Sequence, residues 1–196
     1  MSEILDSGVR REFDSGAVRD IAEGKGRMDL MPLDVIADFC DYVNTEVPSN
    51  VDLIFDFTRM FSCMAGFMQT GSKKEIYKLI SAFVQQYYLS LGDAILDLSI
   101  HYEQGAKKYC ERNWEKGIDA HCFVDSALRH GTKLLRGDKD EPHDRAFMWN
   151  LFGLLWTLRH KPELNDLPFV QFNECQSDRT ESFEHVSLHC GGIIEK

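Results

Sequence analysis

Apolar residues recur at three- and four-residue intervals along most of the chain from Pro32 onward, which places them on one face of an α-helix. The first segment runs from Pro32 to Pro48, the second from Val51 to Gln69, and the third from Ser72 to about Leu91. No segment shows a convincing two-residue alternation bounded by turn residues, which a half-buried strand would show. The pattern therefore predicts an all-α fold.

Three further helices follow in the second half of the chain. The fourth is predicted from about Gly92 to Arg112, the fifth from His121 to Leu135, and the sixth directly after the acidic connector 137–144. Apolar side chains cover most of the circumference of the sixth helix, which indicates burial on several sides. We expect a compact bundle of about six helices in one domain, 1–165, with an irregular glycine-rich N-terminal motif at 13–32 and an extended or partly disordered tail at 166–196.

Composition narrows the classes of function. The 196 residues carry a formal net charge of -10, which argues against binding of polymeric nucleic acid or of an anionic membrane surface. No apolar run reaches the roughly 18 to 20 residues of a membrane helix, and the N-terminus lacks an apolar signal core, so we expect a cytoplasmic protein. The six cysteines show neither CxxC pairs nor a disulfide framework, and we interpret them as reduced core thiols.

Polar residues at apolar helix positions are the first candidates for chemistry, because a buried polar group must be paired or must bind something. Glu103 has apolar neighbours on its helix face, and either Lys107 or a divalent metal could satisfy it. His130 points inward, as a hydrogen-bonded core histidine or as part of a site. Asn150 shares one narrow polar strip with His143, where it either bonds a neighbouring helix or faces a ligand cavity.

Two further clusters leave a structural and a functional interpretation open. The connector before the sixth helix holds Asp138, Asp140, Glu141 and Asp144, which could supply oxygen ligands to Mg²⁺ or Mn²⁺ or could form a hydrophilic turn with a helix cap. The glycine-punctuated N-terminal motif could approach phosphate oxygens or could be an ordinary surface loop. Asp93, Asp97 and His101 repeat every four residues and look like a solvated edge, though the same geometry could hold a metal.

Four motifs in this order carry a family resemblance: SGAVRD followed by GKGRMDLMP, then GAKKYCERNWEKG, then DSALRH, then RGDKDEPHDRAFMWN. Together they resemble the dATP/dGTP diphosphohydrolase family found mainly in bacteriophages, which is grouped with the MazG-like all-α nucleoside triphosphate pyrophosphatases. The ExxE and ExxD pairs of MazG proteins are not present in that form, so the resemblance does not itself specify the metal ligands.

The resemblance implies metal-dependent hydrolysis of dGTP or dATP to monophosphate and pyrophosphate, in phage nucleotide-pool remodelling in the host cytoplasm, by a homodimer or homotetramer that uses Mg²⁺ or Mn²⁺. The carboxylates expected to act in catalysis are Glu103, Glu141 and Asp144. The expected metal ligands are Glu103, Asp125, Asp140, Glu141, His143 and Asp144. The expected substrate-binding residues are Arg19, Lys25, Arg27, Asp29, Lys107, Lys108, Asn113, Trp114, Lys116, Arg129, His130, Lys133, Arg136 and Asn150.

Two alternatives stay open at the level of sequence. One is a histidine/aspartate metal phosphohydrolase that releases the whole triphosphate, using His130, His143 and Asp144. The other is a non-catalytic nucleotide-sensing or interaction protein whose polar core only ties helices together.

Overall fold

The computed structural model describes residues 8–21, 23–48 and 53–167. Six α-helices lie within these ranges, which confirms the all-α class: α1 (Leu33–Glu46), α2 (Phe57–Thr70), α3 (Lys73–Tyr87), α4 (Leu91–Tyr109), α5 (Ala120–Arg136) and α6 (His143–His160). Short 3-10 turns at Met28–Leu30, Asn113–Lys116 and Pro162–Leu164 connect or follow them. No helix within the described ranges is long and apolar enough to cross a membrane. The division into one domain and a tail stays a prediction, because all but the first two residues of the tail lie outside these ranges.

The N-terminal segment, which was predicted as irregular, contains one short hairpin. Strands β1 (Arg10–Glu12) and β2 (Val18–Asp20) pair antiparallel, with Arg11 opposite Arg19. The hairpin closes where Gly16 donates its N–H to the carbonyl of Phe13 at 2.7 Å. Three residues per strand are too few for a two-residue alternation to become visible.

The second helix begins later than its apolar pattern predicts. It starts at Phe57 rather than Val51, because the Asp56 side chain accepts the backbone N–H of Arg59 at 2.7 Å and so caps the first turn. Phe55, just before the cap, is buried in the core although it is not helical. Because Phe55 is apolar and buried, it continues the apolar spacing of the helix although its backbone is extended.

Helix α6 lies in the centre of the bundle, as its apolar circumference predicts. Its Phe147 and Phe152 are buried against aromatic rings of other elements, with ring centroids 5.0 Å apart for Phe147 and Phe83. Glycines permit α5 and α6 to approach closely: a Cβ on Gly131 would come within 3.0 Å of the Phe147 ring, and one on Gly153 within 2.5 Å of the Phe123 ring. This close contact brings the polar residues of α5 and of the start of α6 together.

The cysteines are only partly the core thiols that the pattern predicted. All four within the described ranges are free, but Cys63 is buried and Cys40 partly buried, whereas Cys110 and Cys122 are exposed. Cys110 follows the last residue of α4, and Cys122 lies in the first turn of α5. Cys175 and Cys190 lie outside the described residues.

Candidate active site

Two histidines and one carboxylate meet where α5 contacts the start of α6. The Nδ1 atoms of His130 and His143 lie 3.0 Å apart, and Oε1 of Glu141 is 3.6 Å from each of them. Both histidines are buried, whereas the Glu141 side chain is 46% exposed. We call these three residues the histidine–carboxylate group. Its three potential ligand atoms face one another, with Glu141 on the solvent side.

Asp140 fixes how His143 is oriented within this group. Its Oδ1 lies 2.8 Å from Nε2 of His143, and its other oxygen accepts from Lys133 at 2.7 Å. These two hydrogen bonds, with the one to Lys133 the stronger influence, lower the pKa of Asp140, so it is a carboxylate that can only accept. His143 therefore carries a proton on Nε2, and in its neutral form it turns the Nδ1 lone pair toward His130. A carboxylate behind a histidine is the usual arrangement around metal-ligating histidines.

The surroundings of His130 favour its neutral form. Burial lowers the pKa of His130, and the positive charges of Arg129 and Lys133 act in the same direction, while Glu141 opposes them. A neutral imidazole is the form that binds a metal ion. The inward position of His130 and its polar role, both predicted from the helical pattern, are thus present in the structure.

A second group of polar side chains begins at Asp144, the residue after His143. The sequence did not predict that these side chains contact one another. Tyr88 donates to Asp97 at 2.9 Å and lies 3.4 Å from Asp144, while Nε of Arg145 is 2.8 Å from Asp97. His101 is largely shielded from solvent, and burial, together with the charge of Arg145, lowers its pKa to about 4. The interpretation of Asp97 and His101 as a solvated edge was therefore wrong.

The reason for this error is that a single helix does not show which side its neighbours cover. Helix α6 packs on the face of α4 that carries His101. Of the three repeated residues Asp93, Asp97 and His101, only Asp93, at the start of α4, is exposed. The feature of the sequence that could have indicated this polar group is the repeat of polar side chains every four residues next to the apolar face of α4.

Glu103 is buried and binds the backbone of the N-terminal motif. Its two carboxylate oxygens accept the N–H groups of Gly24 and Gly26, both at 2.9 Å, and Lys107 lies 3.0 Å away. The bond from Gly24, followed by those from Lys107 and Gly26, lowers the pKa of Glu103 although burial opposes this. The expected pair with Lys107 is present. The glycine-rich backbone, for which an approach to phosphate and an ordinary surface loop were both open, holds the carboxylate of Glu103.

The cations of the N-terminal motif border a separate cavity of about 540 Å³. Arg27 is held by Asp29 and Glu111, both at 2.7 Å, whereas Arg19 and Lys25 line the cavity wall. The predicted substrate-binding residues of this motif are thus gathered at one place, next to the end of α4.

The other predicted site residues are distributed among local contacts. Asp125 is 73% exposed and pairs with Arg129 along α5 at 3.2 Å. Asp144 faces Tyr88 and the backbone N–H of its own neighbour Arg145. The remaining contacts join Arg136 to Asp138, Lys116 to Asn113, the Lys108 ammonium to the Tyr109 ring, and the buried Asn150 amide to the carbonyl of Ala146. Roles for these residues in metal or substrate binding stay predictions.

An aromatic cavity of about 340 Å³ lies between α4, the turn Asn113–Lys116 and α6. Aromatic side chains form much of its wall: Tyr102, Tyr109, Trp114 and Trp149. Trp114 is fixed by a hydrogen bond from its Nε1 to the carbonyl of Leu30 at 3.2 Å. Trp149 of the same cavity wall lies on α6, the helix that begins at His143 of the histidine–carboxylate group.

The fold and the site define an all-α protein with a group of side chains suited to metal binding beside an aromatic cavity. The chain belongs to the dATP/dGTP diphosphohydrolase family: the family model of the N-terminal part, "dATP/dGTP diphosphohydrolase, N-terminal", matches residues 64–167, slightly more than half of the chain. The matched segment contains α3 to α6 and the whole histidine–carboxylate group. Neither the curated proteins nor the solved structures include a match to this chain.

Proposed function

We propose that the protein hydrolyses dATP or dGTP between the α- and β-phosphates and releases monophosphate and pyrophosphate. The observation that supports this most directly is the convergence of His130, Glu141 and His143 in a chain of the dATP/dGTP diphosphohydrolase family. The group is solvent-accessible on the Glu141 side, where a triphosphate could approach.

The donor atoms of the group fit a divalent transition metal. Two imidazole nitrogens and one carboxylate oxygen form a mixed set, which a transition ion such as Mn²⁺ accepts more readily than Mg²⁺, because Mg²⁺ prefers oxygen ligands alone. His130, His143 and Glu141 would hold the ion, with Asp140 orienting His143. Such an ion neutralises phosphate charge and lowers the pKa of a bound water. We therefore expect Mn²⁺ to support higher activity than Mg²⁺.

Glu141 is the residue best placed to accept the proton of the attacking water. Its Oε1 faces the two histidines, so its second oxygen remains for the proton, and its exposure lets water reach it. In this reaction the water oxygen bonds to the α-phosphorus, the bond to the bridging oxygen breaks, and pyrophosphate leaves. Lys133 lies 3.8 Å from Glu141 and supplies a positive charge at the same edge for phosphate oxygens.

Product analysis tests this proposal. Incubation of the purified protein with dGTP or dATP and Mn²⁺, followed by ³¹P NMR, should show monophosphate and pyrophosphate in equal amounts. Release of intact tripolyphosphate would favour the histidine/aspartate phosphohydrolase alternative, and no turnover would favour a nucleotide-sensing protein. The role in phage nucleotide-pool remodelling, the cytoplasmic location and the homo-oligomer stay predictions.

A further inference from the structure

We propose that the aromatic cavity between α4 and α6 binds the purine base of the substrate, and that Gly105 keeps the cavity open. This proposal rests on the proposed function for the identity of the ligand. The cavity itself, its lining and its position beside the histidine–carboxylate group are features of the fold.

The walls of the cavity suit a flat aromatic ligand. Tyr109, Trp114 and Trp149 present rings to a space of about 340 Å³, which falls in the range of small-molecule sites. Tyr109 is 54% exposed and lies at the entrance, so a ring bound there has an opening to solvent. Stacking on aromatic side chains is a general way to bind nucleobases, because every base has a π-face.

Gly105 is the feature that points most strongly to a ligand. It lies inside α4 with an ordinary helical φ, where glycine is less favourable than alanine. A Cβ added to Gly105 would have no atom within 4 Å, so no neighbouring helix explains the missing side chain. Gly131 and Gly153, in contrast, each sit against an aromatic ring. The space above Gly105 is the cavity.

Polar groups of the lining can hydrogen-bond to a base. The hydroxyl of Tyr102 and Nδ1 of His101 are buried and have no hydrogen-bond partner among the described residues, so a base in the cavity would reach them only after these side chains turn toward it. Asn113 and Arg112 border the cavity and carry amide and guanidinium groups, the groups that pair with purine edges elsewhere. The cavity therefore combines stacking surfaces with several possible donors and acceptors.

The position of the cavity relative to the charged groups fits a nucleotide. The cavity wall includes Trp149 of α6, the helix that begins at His143, and the ring of His101 lies 6.0 Å from that of Trp149, so a base in the cavity would lie along the same helix as the histidine–carboxylate group. Most of the lining comes from the segment 105–114.

Binding of nucleosides without phosphates tests the base site separately from hydrolysis. We would titrate the full-length protein, without metal, with 2′-deoxyguanosine, with 2′-deoxyadenosine and with inorganic tripolyphosphate, and follow the indole N–H resonances of Trp114 and Trp149 by NMR. The purine nucleosides should shift both resonances, and tripolyphosphate should shift neither. Absence of shifts with both nucleosides, or equal shifts with tripolyphosphate, would overturn the proposal.

Two variants probe the same cavity. Gly105→Leu places a side chain into the open space and should weaken nucleoside binding by about tenfold or more, whereas Gln104→Leu adds a leucine at an exposed α4 position outside the cavity lining, should bind like the wild type and serves as the matched control. Tyr109→Ala removes an exposed ring at the entrance and should also weaken binding by about tenfold, even if Gly105→Leu proves unstable. Wild-type affinity in folded Gly105→Leu or in Tyr109→Ala would contradict the assignment.

The outcomes also distinguish this proposal from the proposed function. If the protein binds purine nucleosides at Trp114 and Trp149 but hydrolyses neither dGTP nor dATP, the base site is upheld and the proposed hydrolysis is refuted. If the wild-type protein hydrolyses dGTP and folded Gly105→Leu keeps the wild-type KM, the proposed hydrolysis is upheld and the base site is refuted.

Discussion

Replacement of Glu103 by glutamine should release the N-terminal motif from α4. In the wild-type protein both carboxylate oxygens accept backbone N–H groups, from Gly24 and Gly26, and the side chain is 8% exposed. Glutamine offers one acceptor oxygen and a donor amide, so one of the two N–H groups loses its partner. A hydrogen bond to a charged group contributes about 1.5–3 kcal/mol, and we expect the variant to lose about that much.

Hydrogen exchange of the Gly24 and Gly26 amides measures this loss where it occurs. Since about 1.4 kcal/mol corresponds to a factor of ten, protection at these two amides should fall by roughly 10- to 100-fold in Glu103→Gln. Lys107→Met is the matched control, because it removes the exposed cation near Glu103 and leaves both backbone bonds in place, so protection at the two amides should change little.

Unchanged protection in Glu103→Gln would refute the account of Glu103 as the anchor of this loop. Mn²⁺ affinity provides the complementary test, because the sequence predicts Glu103 as a metal ligand and the contacts with Gly24 and Gly26 indicate a positioning role. We expect Mn²⁺ affinity to stay close to wild type in the variant. A loss of Mn²⁺ affinity of about 10- to 100-fold would show that Glu103 acts at the metal instead.

Three further predictions follow from individual contacts. The pKa of Glu103 is lowered in the fold, so its stabilisation should be present above the ordinary value of 4.5 and be lost as pH falls below it; amide protection at Gly24 against pH tests the sign. Asp140→Asn should weaken Mn²⁺ binding by about 10- to 100-fold in calorimetry, because His143 loses its orienting carboxylate. Gly131→Ala should lower the free energy of unfolding in urea by about 1–3 kcal/mol, because its Cβ would crowd Met60 and the Phe147 ring, whereas Gly105→Ala should not lower it.

The helices were predictable because apolar periodicity is a local property of the chain. The same periodicity identified His130 as inward-facing, and the structure buries it against His143. The start of α2 was less predictable, since the buried Phe55 lies in an extended segment and continues the helical pattern. Side-chain direction follows from helical spacing, whereas the beginning of a helix depends on its cap.

The partners of the candidate site residues were harder to predict, because they come from distant parts of the chain. Glu103 binds backbone N–H groups 77 and 79 residues away, and side-chain spacing contains no information on such contacts. His101 and Asp97 are covered by α6 and its neighbours, which a single helix cannot reveal. The cavity above Gly105 likewise depends on where the turn Asn113–Lys116 and α6 lie relative to α4.

The most direct test of the account is a parallel measurement of Mn²⁺ affinity and dGTP turnover in two carboxylate-to-amide variants. Glu141→Gln alters the histidine–carboxylate group at its exposed member, so the fold should persist while turnover falls by about 100-fold or more and Mn²⁺ binds more weakly. Asp41→Asn changes an exposed carboxylate on α1 that is not among the predicted site residues, and both quantities should remain close to wild type. Near-normal turnover and affinity in Glu141→Gln, or a large loss in Asp41→Asn, would contradict the assignment of the active site.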